Sequence, residues 1–354
     1  MKRKIIIRHR IEKAAFIAGK VAVRCLSRRA VLRLSRLIGF GVYTFSPLRR
    51  KFAEANLNLA FGDSLSPKEK RAINIKSFQS FSQVFIDLFW FDGRSDECLN
   101  RYLKYDESFN SIIDGNPNII LTAHFGNWEL VGVACGRKGY PLTSVALEGQ
   151  NPILEHALNS LRTKSGSKIV AREGAIRKII KSLRDGRSTA FLIDHNTLPD
   201  EGGVFVPFFG LPVPVSNAAP ALQARTDAKL VVTWCLPDDN GGYTVYSKPL
   251  LQIEKYASKQ EITAELTKVL EDVIRKHPQY WLWCYRRWRF FRAGDPAEKY
   301  PFYAESYEEN LEFRNLIKNH RKAISNEEEA RRKLSAAATA RREKLQHRKK
   351  ELMP

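Results

Sequence analysis

The period of the apolar positions changes along the chain, and the changes mark its elements. Between residues 118 and 250, short apolar runs of strand length alternate with longer stretches of helical spacing. Strands are expected near 118–123, 141–147, 168–171, 188–193, 229–236 and 243–248, and helices over 127–137, 151–165, 174–185 and 216–226. Pro152 suits a helix start and Gly186 a helix stop. Such alternation predicts an α/β fold, with a mostly parallel central sheet flanked by helices and helical extensions at both ends. Residues 46–92 read as helical throughout. Ser66, Pro67 and Glu69 form a capping box there, and Ser258 with Glu261 forms another that opens a helix to about His277. Residues 10–38 carry Ala, Ile, Val and Leu among Lys and Arg at helical spacing, with Ala15, Ala18, Ala22 and Cys25 on one face. No internal repeat is visible. The run Val204 to Val215, rich in Gly, Pro and Phe, reads as a loop, either buried or at the lip of a groove. The segment Phe78 to Phe91 is dense in aromatics and is either a core helix or one wall of an apolar groove.

Charge sharpens this picture. The 354 residues carry a formal net charge of +21, but not evenly. Residues 1–51 hold 15 Lys and Arg against one acid, and residues 314–354 hold 13 against five, so the stretch between them is nearly neutral. Basic flanks on a neutral body fit an anionic surface, either bilayer or nucleic acid. The chain therefore divides into basic amphipathic, membrane-associating helices over 1–50, an α/β domain over 51–295, and a charged helical or disordered tail over 296–354. No apolar run approaches the roughly 18 residues that a transmembrane helix needs. The uncharged stretch from Leu37 to Leu48 contains two glycines and a proline, and Lys13, Lys20 and Arg24 interrupt any signal-like apolar region. The expectation is a protein that lies on a membrane rather than spans it. The five cysteines are scattered with no CxxC pair, which fits reduced thiols rather than a zinc site or a disulfide framework.

The chemistry concentrates at residues 118–131. An apolar run, Ile119 to Leu121, ends at His124; a turn comes next at Phe125-Gly126-Asn127, and Trp128-Glu129 opens a helix that Asn127 would cap. His124 thus sits at the carboxyl end of a strand, where open α/β sheets place their ligands. A histidine there can take a proton from a hydroxyl at neutral pH, and a carboxylate on its other ring nitrogen would fix the tautomer and stabilise the imidazolium. On one continuous helix a five-residue step would point His124 and Glu129 apart, so the turn is what could bring them together. There is no G-x-S-x-G elbow, no H-E-x-x-H and no Walker motif. The proton would then come from the substrate's own hydroxyl.

His124-Phe125-Gly126-Asn127-Trp128-Glu129, after an apolar strand, resembles the bacterial lipid A biosynthesis acyltransferases, the late, secondary members of the lysophospholipid acyltransferase superfamily. Further blocks occur in the family's order. They are Asn56-Leu57 with Ala60-Phe61; Asn151-Pro152 with Leu161-Arg162 and Gly166; Asp194 with the run Gly203 to Gly210; and the aromatic–arginine block Tyr280 to Trp288. The resemblance covers about residues 20–295. It implies an O-acyltransferase that moves a fatty acyl chain from acyl carrier protein, or acyl-CoA, to a hydroxyl of a lipid A precursor, with no metal, no cofactor and no covalent acyl-enzyme. His124 would be the general base and Glu129 would orient it. Arg162 would serve the developing oxyanion or a substrate phosphate. Asn127 would cap the helix or also help orient the site, and Asp194 would form the site floor or contact substrate. The implied partners are acyl carrier protein, an anionic glycolipid and the cytoplasmic face of an inner membrane. No nucleic acid is expected, because the middle of the chain is neutral and no recognised RNA or DNA motif is present. The chain departs from the family pattern at His195, where relatives commonly carry Gln. It also departs at Ser216-Asn217-Ala218-Ala219-Pro220 and in an N-terminus broken by charges. A lysophospholipid or other glycolipid acceptor is the alternative within the class. A non-catalytic membrane- or nucleic-acid-binding protein is the alternative outside it.

Overall fold

The computed structural model describes residues 17–92, 94–146, 159, 162–171 and 174–318. Its centre is a seven-stranded sheet of β1 (Leu103–Tyr105), β2 (Asn118–Thr122), β3 (Leu142–Ala146), β4 (Lys168–Ala171), β5 (Ser188–Leu192), β8 (Lys229–Pro237) and β9 (Tyr243–Pro249). The spatial order is β1-β9-β8-β2-β5-β3-β4, and every neighbouring pair is parallel except β8 with β9. The alternation read from the sequence therefore gives the mostly parallel α/β sheet it predicts. Two features escaped it. β1 is three residues long, too short to show a period. The Val204–Val215 run is not a loop but a hairpin of β6 (Gly203–Phe208) and β7 (Leu211–Ser216), turning at Phe209 (φ 49°) and Gly210 (φ 81°). Two left-handed residues make the turn whose twist matches antiparallel strands, and Phe in the first position hid the signal.

The region 46–92 is helical in two pieces, α2 (Pro47–Phe61) and α3 (Pro67–Phe91), separated by a short break and the Ser66–Glu69 capping box. α1 (Arg28–Phe45) crosses α3 through Val31, Ser35, Gly39 and Tyr43, one per helical turn. At Gly39 a Cβ would lie 2.4 Å from Gln79 Cα, so only glycine permits this approach. A short helix, α4 (Asp96–Tyr102), capped by Ser95, leads from α3 into β1. Arg28 is buried against Asp87 of α3, donates to Gly241 O, and lies over the rings of Trp90, Phe91, Tyr102 and Tyr243. Tyr243 of β9 also donates to Asp87. The N-terminal helices are thus part of the same compact unit as the sheet, which among the described residues runs from residue 17 to 289 and from 296 to 303. Among the described residues, 290–295 and 304–318 form a second unit, in which residues 307–318 are helical. No described helix is long and apolar enough to cross a membrane.

β2 is buried at every position, as a central strand covered on both faces must be. Ile120 packs with Val231 and Cys235 of β8 and with Val131, Ala134 and Cys135 of α5 (Trp128–Arg137). Ile119 and Leu121 alternate to the other face. That face belongs to α7 (Ala218–Thr226) and α8 (Lys259–Lys276), while α6 (Ala175–Arg184) covers β5, β3 and β4. β2 runs on past β5 to reach β3, whereas β5 runs back past β2 to β8. Connections from these two adjacent strands leave in opposite directions, which opens a crevice at their carboxyl ends. The expected helix over 151–165 lies almost wholly outside the described residues.

Removing one partner of a buried ion pair strands the other charge. Asp87→Ala should therefore lower the unfolding free energy by about 3–5 kcal/mol, measured by urea denaturation, whereas a loss below about 1 kcal/mol would show that α1 is held by its apolar contacts alone.

Candidate active site

Parallel pairing builds the site. β2 and β5 are in register with Ile119 opposite Thr189 and Thr122 opposite Leu192. Ile193 N–H continues the ladder to Thr122 O at 2.9 Å. Two residues beyond each strand, the same register sets His124 beside Asp194. His124 Nδ1 lies 3.1 Å from Asp194 Oδ1, and His124 N–H donates to Asp194 Oδ2 at 2.9 Å. Trp281 Nε1 donates to the same Oδ2 at 3.1 Å. With Nδ1 engaged, Nε2 is the nitrogen left for a substrate. The carboxylate on His124 is therefore Asp194, not Glu129. Glu129, in the first turn of α5, instead accepts from Arg162 Nη2 at 2.7 Å and Nε at 3.0 Å, and from Trp128 Nε1 at 3.2 Å.

The turn after His124 is fixed by its own backbone. Gly126 N–H donates to Tyr280 O at 2.9 Å, Asn127 N–H to Cys235 O at 2.8 Å, and Phe125 N–H to Ala123 O at 2.6 Å. Gly126 has φ 57°, and a Cβ there would sit 2.0 Å from Cys235 O, so the close approach of β8 to the turn requires glycine. Asn127 is buried and caps α5 through Leu130 N–H at 3.2 Å, which makes it part of the scaffold. The aromatic segment of α3 divides between its two readings. Phe78, Trp90 and Phe91 are core, while Phe81 and Phe85 remain partly exposed and pack on Trp128, whose ring stands 5.0 Å from that of His124. Phe81, Phe85 and Trp128 give His124 an apolar wall. A cavity of about 460 Å³ opens elsewhere, between β8, β9 and α8, and none of the expected site residues lines it.

Burial by itself would hold the His124 imidazole below its ordinary pKa. The charge and hydrogen bond of Asp194, with a smaller contribution from Glu129, outweigh burial and leave it raised. Burial opposes ionisation of Asp194, yet His124, His195 and the His124 N–H hold its carboxyl far below the usual carboxylate range. Arg162 is raised, first by its hydrogen bonds to Glu129. The sequence left three contributors unassigned. They are Trp281, which supports Asp194; His195, whose ring centroid lies 4.8 Å from that of His124; and Arg287, which is fully buried and donates to His195 O and Asn196 Oδ1. The equal distance of His124 and Asp194 beyond two apolar runs was the available signal for the pair.

Comparison with known proteins gives this geometry a family. The model of the bacterial lipid A biosynthesis acyltransferases matches residues 1–290. The chain belongs to that family. This acyltransferase is 24% identical over 271 residues to the lipid A biosynthesis palmitoleoyltransferase of Escherichia coli (strain K12), covering 75% of this chain and 86% of the relative. It is also 24% identical over 276 residues to the lipid A biosynthesis lauroyltransferase of the same organism, covering 75% and 88%. A crystal structure of the 1-acyl-sn-glycerophosphate (LPA) acyltransferase from Thermotoga maritima aligns with 72% of this chain and 99% of its own, at 12% identity and a TM-score of 0.34.

A base works only when unprotonated, so with His124 as the base its raised pKa would put the acid limb of kcat/KM above the ordinary histidine value of about 6.5. Asp194→Asn should lower kcat by roughly 10²–10⁴ and move that limb to lower pH. Glu129→Gln should move it less. A larger shift from Glu129→Gln than from Asp194→Asn, read from pH–rate profiles, would reverse the assignment of the two carboxylates.

Proposed function

We propose that this acyltransferase moves a fatty acyl group from an acyl carrier protein thioester, or acyl-CoA, to a hydroxyl of a lipid A precursor, with His124 as general base. The observation that carries the reading is the register-locked His124–Asp194 pair, with Nε2 left free beside the apolar wall of Phe81, Phe85 and Trp128. In this mechanism the acceptor oxygen attacks the thioester carbonyl as its proton passes to His124 Nε2. Asp194 holds Nδ1–H and stabilises the imidazolium, as the aspartate of a serine-protease triad does. The tetrahedral intermediate collapses, the C–S bond breaks, and the departing thiolate takes the proton back from His124. No acyl-enzyme forms, because the acceptor hydroxyl is the nucleophile. Arg162, held by two hydrogen bonds to Glu129 and still partly exposed, suits an anionic group of the acceptor such as a phosphate. An acyl chain would enter along the aromatic wall.

The reaction is proposed to take place on the cytoplasmic face of an inner membrane. Support comes from the outer side of α1 and the start of α2, where Leu37 is 71% exposed and Phe45 86%, with Phe40 and Leu48 also open to solvent. Arg29, Arg33, Arg36 and Arg49 are exposed on the same two helices. Apolar side chains beside arginines match the boundary between acyl chains and anionic headgroups.

His124→Ala should abolish transfer from acyl carrier protein thioesters to lipid A precursor while leaving the unfolding transition unchanged; turnover equal to wild type would remove His124 from the mechanism. Leu37→Asp with Phe45→Asp should weaken binding to vesicles containing anionic lipid by roughly tenfold or more, because each fully buried apolar side chain contributes about 1.5–3 kcal/mol. Unchanged cosedimentation would place the membrane contact elsewhere.

A further inference from the structure

Acyl transfer to a hydroxyl gathers negative charge on the thioester carbonyl oxygen, and that oxygen needs fixed hydrogen-bond donors. Several donors around His124 are already committed. The N–H groups of Phe125, Gly126 and Asn127 go to the carbonyls of Ala123, Tyr280 and Cys235. Trp128 Nε1 and the Nε and Nη2 of Arg162 go to Glu129. Trp281 Nε1 goes to Asp194.

His195 is differently placed. Its ring stands perpendicular to that of His124, at 89° with centroids 4.8 Å apart, and it also packs edge-on against Tyr285 at 5.6 Å. The segment carrying it is pinned on both sides. Arg287 donates to His195 O at 3.1 Å and to Asn196 Oδ1 at 2.8 Å. Asn196 N–H donates to Tyr285 Oη at 3.0 Å, and Asn196 Nδ2 to Arg286 O at 2.9 Å. Neither ring nitrogen of His195 has a hydrogen-bond partner among the described residues, and the residue is only half-buried. A half-buried imidazole, positioned by its backbone and packed against the ring of the general base, is left with its polar edge unspent.

We propose that His195 is a catalytic residue that donates a ring N–H to the oxyanion formed on the thioester carbonyl. The assignment rests on the acyl-transfer reading above. Its chemistry needs only a neutral imidazole, which carries one N–H and gives up no proton. The charged and titratable groups around it are Asp194 on its own strand end, His124 on the turn after β2, and Tyr285 and Arg287 on the segment after α8. Burial, His124 and Arg287 hold His195 below the ordinary histidine value against the pull of Asp194, so the ring is neutral where His124 works. This separates the two histidines by role: one exchanges the proton, and the other holds the charge.

The test compares His195→Gln, His195→Ala and His195→Leu with wild type, in full-length protein. An acyl carrier protein thioester serves as donor and purified lipid A precursor in detergent micelles as acceptor. Glutamine keeps an N–H donor; alanine and leucine do not. Loss of one oxyanion donor should lower kcat of the alanine and leucine variants by roughly 10²–10³, with KM little changed. The glutamine variant should keep kcat within about tenfold of wild type and keep the wild-type acid limb, which His124 sets. An alanine variant with wild-type kcat would overturn the proposal. So would a glutamine variant as impaired as alanine while its circular dichroism and unfolding midpoint match wild type. Wild-type protein inactive with this donor and acceptor would overturn the acyl-transfer reading itself, which distinguishes the two failures.

Discussion

The register between β2 and β5 is the constraint on which the site depends. Two parallel strands paired with Thr122 opposite Leu192 bring the second residue beyond one strand beside the second residue beyond the other. Those residues are His124 and Asp194. The strands hold that register because β2 is buried at every position, and a slip by one residue would turn each of its side chains to the opposite face. The cost of misplacing the His124–Asp194 pair is thereby tied to the cost of unpacking the core.

A second layer braces this pair from outside the sheet. Trp281 supports Asp194 and is fully buried with Trp283 and Trp288. Ser77 of α3 donates to Trp281 O, and Asn56 of α2 donates to Trp283 O and Tyr285 O, both at 2.7 Å. Asn56 is wholly buried, and its side chain ties two backbone carbonyls of the aromatic–arginine block together, the second of which also accepts from Arg287 N–H. Arg287 is buried without a hydrogen-bonded carboxylate among the described residues, and burial brings its pKa down to about 10. Its hydrogen bonds to His195 O, Asn196 Oδ1 and Pro214 O keep the post-β5 segment in place. The N-terminal helices thus reach the site twice, through the bracing of the aromatic block and through the apolar wall of Phe81 and Phe85.

Much of the fold was legible because it is written in periodicity. The alternation of strand and helix patterns from 118 to 250 needs no tertiary information, and the helix caps at Asn127, Ser66 and Ser258 are local chemistry. The β6–β7 hairpin was not legible, since Phe209 occupies a left-handed position that sequence patterns reserve for Gly, Asn or Asp. The site was legible in part. His124 at a strand end was visible, and the family resemblance marked Arg162 for the oxyanion or a substrate phosphate, yet Glu129 read as the partner of His124. Nearness in sequence favoured Glu129, five residues away, over Asp194, seventy residues away, because strand order is a tertiary property that one strand's pattern does not carry. Glu129 lies in the same site, and its negative charge still acts on His124. Its hydrogen bonds go to Arg162 and Trp128 instead.

The most direct test of the His124–Asp194 pair is the hydrogen bond on His124 Nδ1, observed by NMR of protein with isotope-labelled imidazoles. Wild type should show a downfield Nδ1–H resonance, assigned by its loss in His124→Ala. It should persist in Glu129→Gln and vanish or move strongly upfield in Asp194→Asn. A resonance that survives Asp194→Asn but is lost in Glu129→Gln would contradict the register-built pair.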